Sequence, residues 1–397
     1  MRTYITTHPW IKFNIDLRPT PPQLWMSLGE ASSKCEHIAG VPLRPQTAKE
    51  MHLIYLAKGV AATTAIEGNS LSEEQVLQHM DGTLKLPPSK EYLAQEVENI
   101  ITACNQIGER LRNGVVELTP ERIKEFNRQV LNKLTLEKDV VPGEIRAHSV
   151  VVGNVYRGAP AEDCGHLLER LCQWLNSDDF KPAAGMETVY AIIKAVVAHI
   201  YLAWIHPFGD GNGRTARLVE FQILLSAGVP TPAAQLLSNH YNQTRTEYYR
   251  QLDSASKTGG EIIPFLSYAA QGFVDGLREQ LERIRNQQWD VAWENYVHDM
   301  FHSRISRSDI RQRNLVLDIS HSEKPVPPQK IAELSPRLAR DYASKTYKTI
   351  QRDLNALEIM NLIERTADGV RAKKETILAF LPWKNSSNDY PISSEDM

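Results

Sequence analysis

The chain has 397 residues, 42% of them hydrophobic and 23% charged, which is enough for conventional cores and for about two to four domains. Its formal net charge of −3, from 45 basic and 48 acidic residues, excludes a polycation built to coat nucleic acid. Four scattered cysteines, Cys35, Cys104, Cys164 and Cys172, exclude a disulfide scaffold or zinc knuckle and read as reduced, mostly buried thiols. No apolar run follows Met1 and Arg2. The most apolar stretch, Val189 to Ile205, is interrupted by Lys194 and His199 and falls short of the roughly 20 residues of a bilayer span, so the expectation is a cytoplasmic protein with no membrane partner.

Residues 1 to about 45 are rich in proline and carry Trp10, Phe13 and Trp25, predicting an irregular arm pinned by aromatics. From Thr47, helical spacing of Met51, Ile54, Tyr55, Lys58 and Ala62 predicts a helix ending at Glu67, before Gly68 and Asn69. Further helices are predicted over Ser72 to Met80, Glu91 to Arg112 and Thr119 to Leu131. Ser149 to Tyr156, β-branched residues around Gly153-Asn154, read as one short hairpin. Helices follow at Ala161 to Leu175, Thr188 to Trp204, Gly213 to Ser226 and Ile263 to about Arg285.

Residues 303 to 374 are different in charge, holding 15 basic and 9 acidic residues, a net of +6 that leaves −9 for the rest. Helices at Ser308 to Ile319, Pro328 to Leu334 and Ser344 to Met360, then two strands around Ala367-Asp368-Gly369, give the winged-helix order. Lys345, Lys348 and Arg352 fall on the would-be recognition helix, with Ile350, Leu354 and Leu357 inward; Arg371, Lys373 and Lys374 fall on the wing. Such a module binds DNA through phosphate contacts or serves as a protein docking or dimerisation unit, and both remain open. The tail from Lys384 has too little apolar content to fold.

The chemistry concentrates in His206-Pro207-Phe208-Gly209-Asp210-Gly211-Asn212-Gly213-Arg214-Thr215-Ala216-Arg217, between two helices. Glycines at 209, 211 and 213 allow a tight turn, and the loop feeds a helix N-terminus whose free N–H groups favour phosphate. Arg214 and Arg217, three apart, can grip successive phosphates, Asp210 offers the hard oxygen that Mg²⁺ on a polyphosphate needs, and His206 is the group suited to taking a proton near neutral pH. Together they make a phosphate-transfer site.

The string resembles the Fic family signature H-x-F-x-D/E-G-N-G-R-x-x-R at all eight defined positions, and a looser resemblance extends from about Trp10 to Arg285. The resemblance implies AMP transfer from ATP to a Tyr, Thr or Ser hydroxyl of a target protein or of the chain itself, with pyrophosphate leaving. It implies that His206 deprotonates the hydroxyl, Asp210 binds Mg²⁺, Phe208 packs under the loop, and Asn212 with the N–H groups from Gly211 to Arg214 holds the α- and β-phosphates. Thr215 and Ala216 lie within the same ATP-binding run, and Arg214 and Arg217 meet the β- and γ-phosphates. Val152-Gly153-Asn154-Val155 stands where the family has its flap, so that a target protein would dock on residues 150–156. Tyr248-Tyr249-Arg250-Gln251-Leu252 resembles the run lining the adenine pocket, with Ser256 where Asn often follows.

Thr63-Thr64-Ala65-Ile66-Glu67-Gly68 matches the family's inhibitory pattern S/T-x-x-x-E-G/N. Independently, a carboxylate in the last helical turn faces the negative dipole end, costing about 0.3 to 1 kcal/mol unless a cation compensates it. Arg217 is the expected cation. The resulting fold class is mainly α, a Fic-type helical core with a hairpin flap and a small winged-helix domain. Four segments are expected: an N-terminal arm and inhibitory helix region (1–110), a catalytic core (111–285), a winged helix (303–382) and a flexible tail (383–397). The leading functional reading is an adenylyltransferase braked by Glu67 through Thr63 to Gly68, with a homodimer as a possible assembly. Two alternatives are a DNA-binding regulator using the core as a nucleotide sensor and a de-AMPylase using the same pocket.

Overall fold

The computed structural model describes residues 2–114, 117–152 and 156–378. The chain forms two compact units, Met1–Glu282 and Arg283–Met397. In the first, α1 (Tyr4–Thr7) and α2 (Pro22–Gly40) precede α3 (Pro45–Ile66), α4 (Glu73–Met80), α5 (Glu91–Arg112) and α6 (Pro120–Val130). Strands β1 (Val151–Val152) and β2 (Tyr156–Arg157) pair antiparallel, Val151 opposite Arg157. Then follow α7 (Ala161–Leu175), α8 (Glu187–Ile205), α9 (Asn212–Ser226), α10 (Thr231–Ala234), α11 (Leu236–Gln243), α12 (Arg245–Lys257) and α13 (Ile263–Met300), which starts in this unit and ends in the second.

Local chemistry accounts for the boundaries that position the site. At α6, the Thr119 side chain accepts from the N–H of Arg122 and Pro120 occupies the first turn, where its missing donor is harmless. Its buried Ile123, Phe126, Asn127 and Val130 recur at helical spacing. At α4, Ser72 and Gln75 close a reciprocal capping box. Helix α8 is apolar on every side and forms the centre of the core. Contrary to the expectation drawn from Val189 to Ile205, the helix starts at Glu187 and its 19 residues are long and apolar enough to cross a bilayer, while 78% of its most apolar window is buried among the other helices. The four cysteines are buried and unpaired, and burial pushes the Cys35, Cys104 and Cys172 thiols up to about 12.

The arm differs from its expected irregular form. Pro22 starts rather than breaks α2, and Leu24, Leu28, Ala31 and Cys35 form a buried stripe that the proline content obscured. Phe13 does pin the arm, packing on Trp174 and Tyr201, whereas Trp25 stays on the surface. Residues 1–110 and 111–282 do not separate, because one hydrophobic core runs from Ile11 to Leu277. Helix α13 also outruns its predicted end near Arg285. Asn286, Gln287 and Gln288 break the apolar pattern without breaking the helix, and the stripe resumes at Trp293 and Val297.

The second unit thus begins well before residue 303. After α13 it holds α14 (Arg307–Ser320), a 3₁₀ turn at Pro328–Glu333, α15 (Pro336–Tyr342), α16 (Tyr347–Ile359) and an antiparallel hairpin, β3 (Ile363–Thr366) with β4 (Gly369–Ala372). The predicted second helix is therefore a 3₁₀ turn followed by α15, since Ser335 caps a new helix with Pro336 at its first position. Val326 bridges to Val370 outside the hairpin. Ile350, Leu354 and Leu357 point into this unit's core as expected. Arg371 is ion-paired with Glu364 and Glu375, Lys374 with Asp290, and Lys373 bonds Asn361, so these three are engaged within the fold rather than free for phosphates. The tail from residue 379 lies outside the described residues.

Candidate active site

Helix α8 ends because His206 takes left-handed backbone angles, φ 48° and ψ 60°, a conformation costing a side-chain-bearing residue roughly 1–2 kcal/mol. The turn is held from below. Phe208 is buried; its N–H donates to Oδ1 of Asn212 at 3.0 Å and its carbonyl accepts from Nδ2 of Asn212 at 2.8 Å. Gly211, at φ 75°, caps α9, and a Cβ there would crowd Val130 and Asn127 at 3.0–3.1 Å. Fully buried Asn127 on α6 donates to the carbonyl of Asp210 at 2.8 Å and accepts from the N–H of Gly143 at 2.9 Å.

The N-terminus of α9 is met by an internal carboxylate. A Cβ on Gly213 would lie 2.2 Å from Oε1 of Glu67, so Glu67 lies against the helix end where an anion is favoured. The same oxygen accepts from Nη2 of Arg217 at 2.6 Å, and Nη2 also donates to the carbonyl of Thr63 at 3.0 Å. Arg217 is almost wholly buried, and among the described residues its Nε and Nη1 have no acceptor. Arg214 lies between Glu96 at 3.4 Å and Asp210 at 3.3 Å. Burial by itself raises the Glu67 carboxyl, but the charge and hydrogen bond of Arg217, with the charge of Arg214, outweigh it and hold Glu67 below the usual range. Burial, with the nearby Arg146 charge, lowers the His206 imidazole to about 4 against the opposing pull of Glu67 and Asp210. At neutral pH the ring is therefore a free base.

Residues 117–224 match the model of the Fic/DOC family. Over 60% of its length the chain is 31% identical to a protein from Caenorhabditis elegans named protein adenylyltransferase fic-1, and over 53% it is 30% identical to the protein adenylyltransferase Fic of Nematostella vectensis. It spans less than half of these relatives, 44% and 45% of their lengths. The fold resembles a Fic family protein from Desulfovibrio desulfuricans, with TM-score 0.55, 20% identity, and 89% of this chain and 94% of that one covered. It also resembles Fic-1 of C. elegans, with TM-score 0.52, 24% identity, and 66% and 73% covered.

A cavity of about 750 Å³ opens beside the loop, lined by Glu67, His206, Asn212, Gly213 and Ala216 at one end. Tyr248, Tyr249, Leu252 and Asp253 of α12 line the other. Tyr249 is exposed and its hydroxyl reaches the carbonyl of Ile66, while Tyr248 is buried and bonds Nε2 of His199 at 2.8 Å. Not every expected residue faces the cavity. Ser256 is buried and donates to the carbonyl of Asp253 in its own helix, so Asp253, one turn after Tyr249, replaces it on the wall. The Thr215 hydroxyl is buried against Asn127, and the Asn212 amide is spent on Phe208, leaving both as loop supports with only their backbone at the helix end. Gly153, Asn154, Val155 and the Val152 side chain lie outside the described residues.

Asp210 keeps half its side chain exposed, and among the described residues no cluster of three metal-ligating side chains occurs. A single carboxylate beside a phosphate site is nonetheless the donor set Mg²⁺ uses when substrate oxygens complete its shell. Asn127, Glu96 and Arg146 escaped the sequence reading because each acts from a distant element. A buried-type residue of the wrong polarity, such as Asn127 on the apolar face of α6, is the one signal that pointed to them.

Proposed function

We propose that the protein is an adenylyltransferase that moves AMP from ATP to a hydroxyl on a protein and releases pyrophosphate, with Glu67 as its brake. The observation that carries this is a neutral His206 at the mouth of a nucleotide-sized cavity beside an arginine-flanked helix N-terminus. The hydroxyl oxygen attacks the α-phosphorus as its proton passes to the free imidazole nitrogen. The bond from that phosphorus to the bridging oxygen breaks, and pyrophosphate departs. Nε and Nη1 of Arg217 and Nε of Arg214, buried and without acceptors among the described residues, suit the charge on the leaving phosphates. Asp210 would hold a Mg²⁺ carried by the polyphosphate, which neutralises that charge. A target segment docking at residues 150–156 would bring its hydroxyl to His206.

While Glu67 occupies Arg217 and the helix end, ATP cannot take the same contacts. Incubating the full chain with labelled ATP tests this: E67G is expected to incorporate AMP at least about tenfold faster than wild type, and H206A to lose about 10²- to 10⁴-fold in the E67G background. Equal labelling of wild type and E67G would remove the brake, and labelling that survives H206A would remove the base.

A second reading concerns the basic unit. Lys345, Lys348 and Arg352 are exposed at and along α16, without partners among the described residues, and this favours a nucleic-acid contact through phosphates. A gel shift with the full chain, weakening steeply with salt and lost in K345A/K348A/R352A, is the expected result; no shift at low salt refutes it.

A further inference from the structure

Arg146 precedes β1 and is buried, 4% exposed, yet among the described residues it has no carboxylate partner. Its guanidinium spends its donors on backbone carbonyls. Nε donates to His206 at 2.7 Å, Nη1 to His148, and Nη2 to Ala159 and, at 3.4 Å, to Ile205. The backbone N–H of Arg146 also donates to the carbonyl of Pro207 at 3.0 Å.

These acceptors belong to two structures. Ile205 and His206 end α8, where carbonyls lack helical partners and the dipole is negative, so a cation is stabilising. His148 and Ala159 bracket the β1–β2 hairpin on either side. The remaining carbonyl of this turn, Trp204, is taken by the hydroxyl of Tyr156 on β2 at 2.9 Å and by the N–H of Ala159 at 3.3 Å. The carbonyls of Trp204, Ile205 and His206 are thus met from the hairpin's two ends, that of Ile205 also by Sγ of Cys164 at 3.6 Å, and one side chain ties the two ends together. Clearance is small, for a Cβ on Gly158 would lie 2.9 Å from Cβ of His206 and 3.0 Å from Nη2 of Arg146.

We propose that Arg146 is a positioning residue that clamps the base of the hairpin to the strained turn at His206, so that an acceptor brought in by the hairpin meets the imidazole in one fixed geometry. The role rests on His206 acting as the base in the transfer proposed above. A carboxylate partner would defeat it by drawing the guanidinium away from the carbonyls. The charge has a second consequence, since a cation beside the ring favours its unprotonated form. The charged groups facing His206 are Arg146, Glu67 just past the end of α3 and Asp210 of the loop; Glu162 and Cys164 of α7 and Tyr156 of β2 face Arg146.

The test compares R146Q, R146K and G158A in the full-length E67G background. Two readouts are turnover of AMP transfer with ATP affinity by calorimetry, and histidine-labelled NMR in which the signal lost in H206A identifies the ring. For R146Q, kcat is expected to fall about 100-fold, the scale of a small misplacement of reacting groups, with ATP Kd within twofold. Its His206 signal should titrate at a higher pH than the parent's, because the Arg146 charge adds to burial in lowering the ring. R146K keeps the charge and loses the fork, so it should retain the parent titration while losing rate. G158A presses on the clamp from the hairpin side and should lose kcat with unchanged ATP Kd, which keeps the test open if Arg146 variants melt. Parent-like kcat in R146Q or G158A, or kcat and ATP affinity falling together, overturns the proposal. If E67G transfers no AMP, the proposed reaction fails, while an unmoved His206 signal in R146Q separately refutes the clamp.

Discussion

The Glu67 carboxylate lies 2.6 Å from the Arg217 guanidinium and against Gly213 at the N-terminus of α9. One side chain thus makes both contacts that an incoming polyphosphate would need. Glu67 keeps about a third of its side chain in water whereas Arg217 keeps almost none. Losing the pair therefore strands the arginine more than the glutamate.

E67Q is accordingly expected to lower unfolding stability by about 3 kcal/mol, the low end for removing one partner of a buried pair. ATP should restore more stability to E67Q than to wild type, because its phosphates replace the lost anion. Thermal melts with and without ATP check both. A larger ATP-induced shift in wild type would contradict the competition.

The pH dependence follows from His206. Its folded value, about 4, lies below the ordinary 6.5, so between those values the unfolded chain binds the extra proton and stability falls as pH drops through that window. Transfer by E67G should be flat from about pH 5 upward and decline below it. Denaturation of wild type and H206N across pH 4 to 7 should show the acid loss reduced in the variant.

Asn127 makes bonds to the carbonyl of Asp210 and the N–H of Gly143 without solvent contact. N127A strands both partners, and a loss of about 2–6 kcal/mol is expected at roughly 1–3 kcal/mol for each unsatisfied group. The same variant should raise the KM for ATP, since the loop carrying Asp210 loses its support. Urea unfolding and initial rates measure the two effects.

On the base wall, Y249A should raise the KM for ATP with kcat nearly unchanged. Base stacking on an aromatic ring is worth about 1–3 kcal/mol, which is roughly 5- to 150-fold. S256A should leave both constants within twofold, because its hydroxyl is turned into α12. A large effect of S256A would return that residue to the pocket.

Most of the helices were legible because their signals are local. Thr119-Pro120 opens α6 as written, and Glu91–Arg112 carries its own period. Helix α2 was hidden because proline suggests irregularity unless its neighbours show it to be a first-turn residue. The end of α13 was hidden because three polar residues interrupt a pattern without opposing a helix. Ser256 and Thr215 were misplaced for a different reason. A hydroxyl on a helix has two destinations, the site or its own backbone and neighbours, and adjacent sequence does not choose between them.

By itself the sequence determined the loop chemistry, because His206, Asp210, the glycines and the two arginines sit within twelve consecutive residues and one loop–helix junction orients them all. Only the tertiary structure decided which charges face that loop. Glu67 reaches Arg217 across 150 positions, and Arg146 reaches His206 from beyond a hairpin. Both depend on helices packing into one core, and the strength of each contact comes from the water that packing excludes.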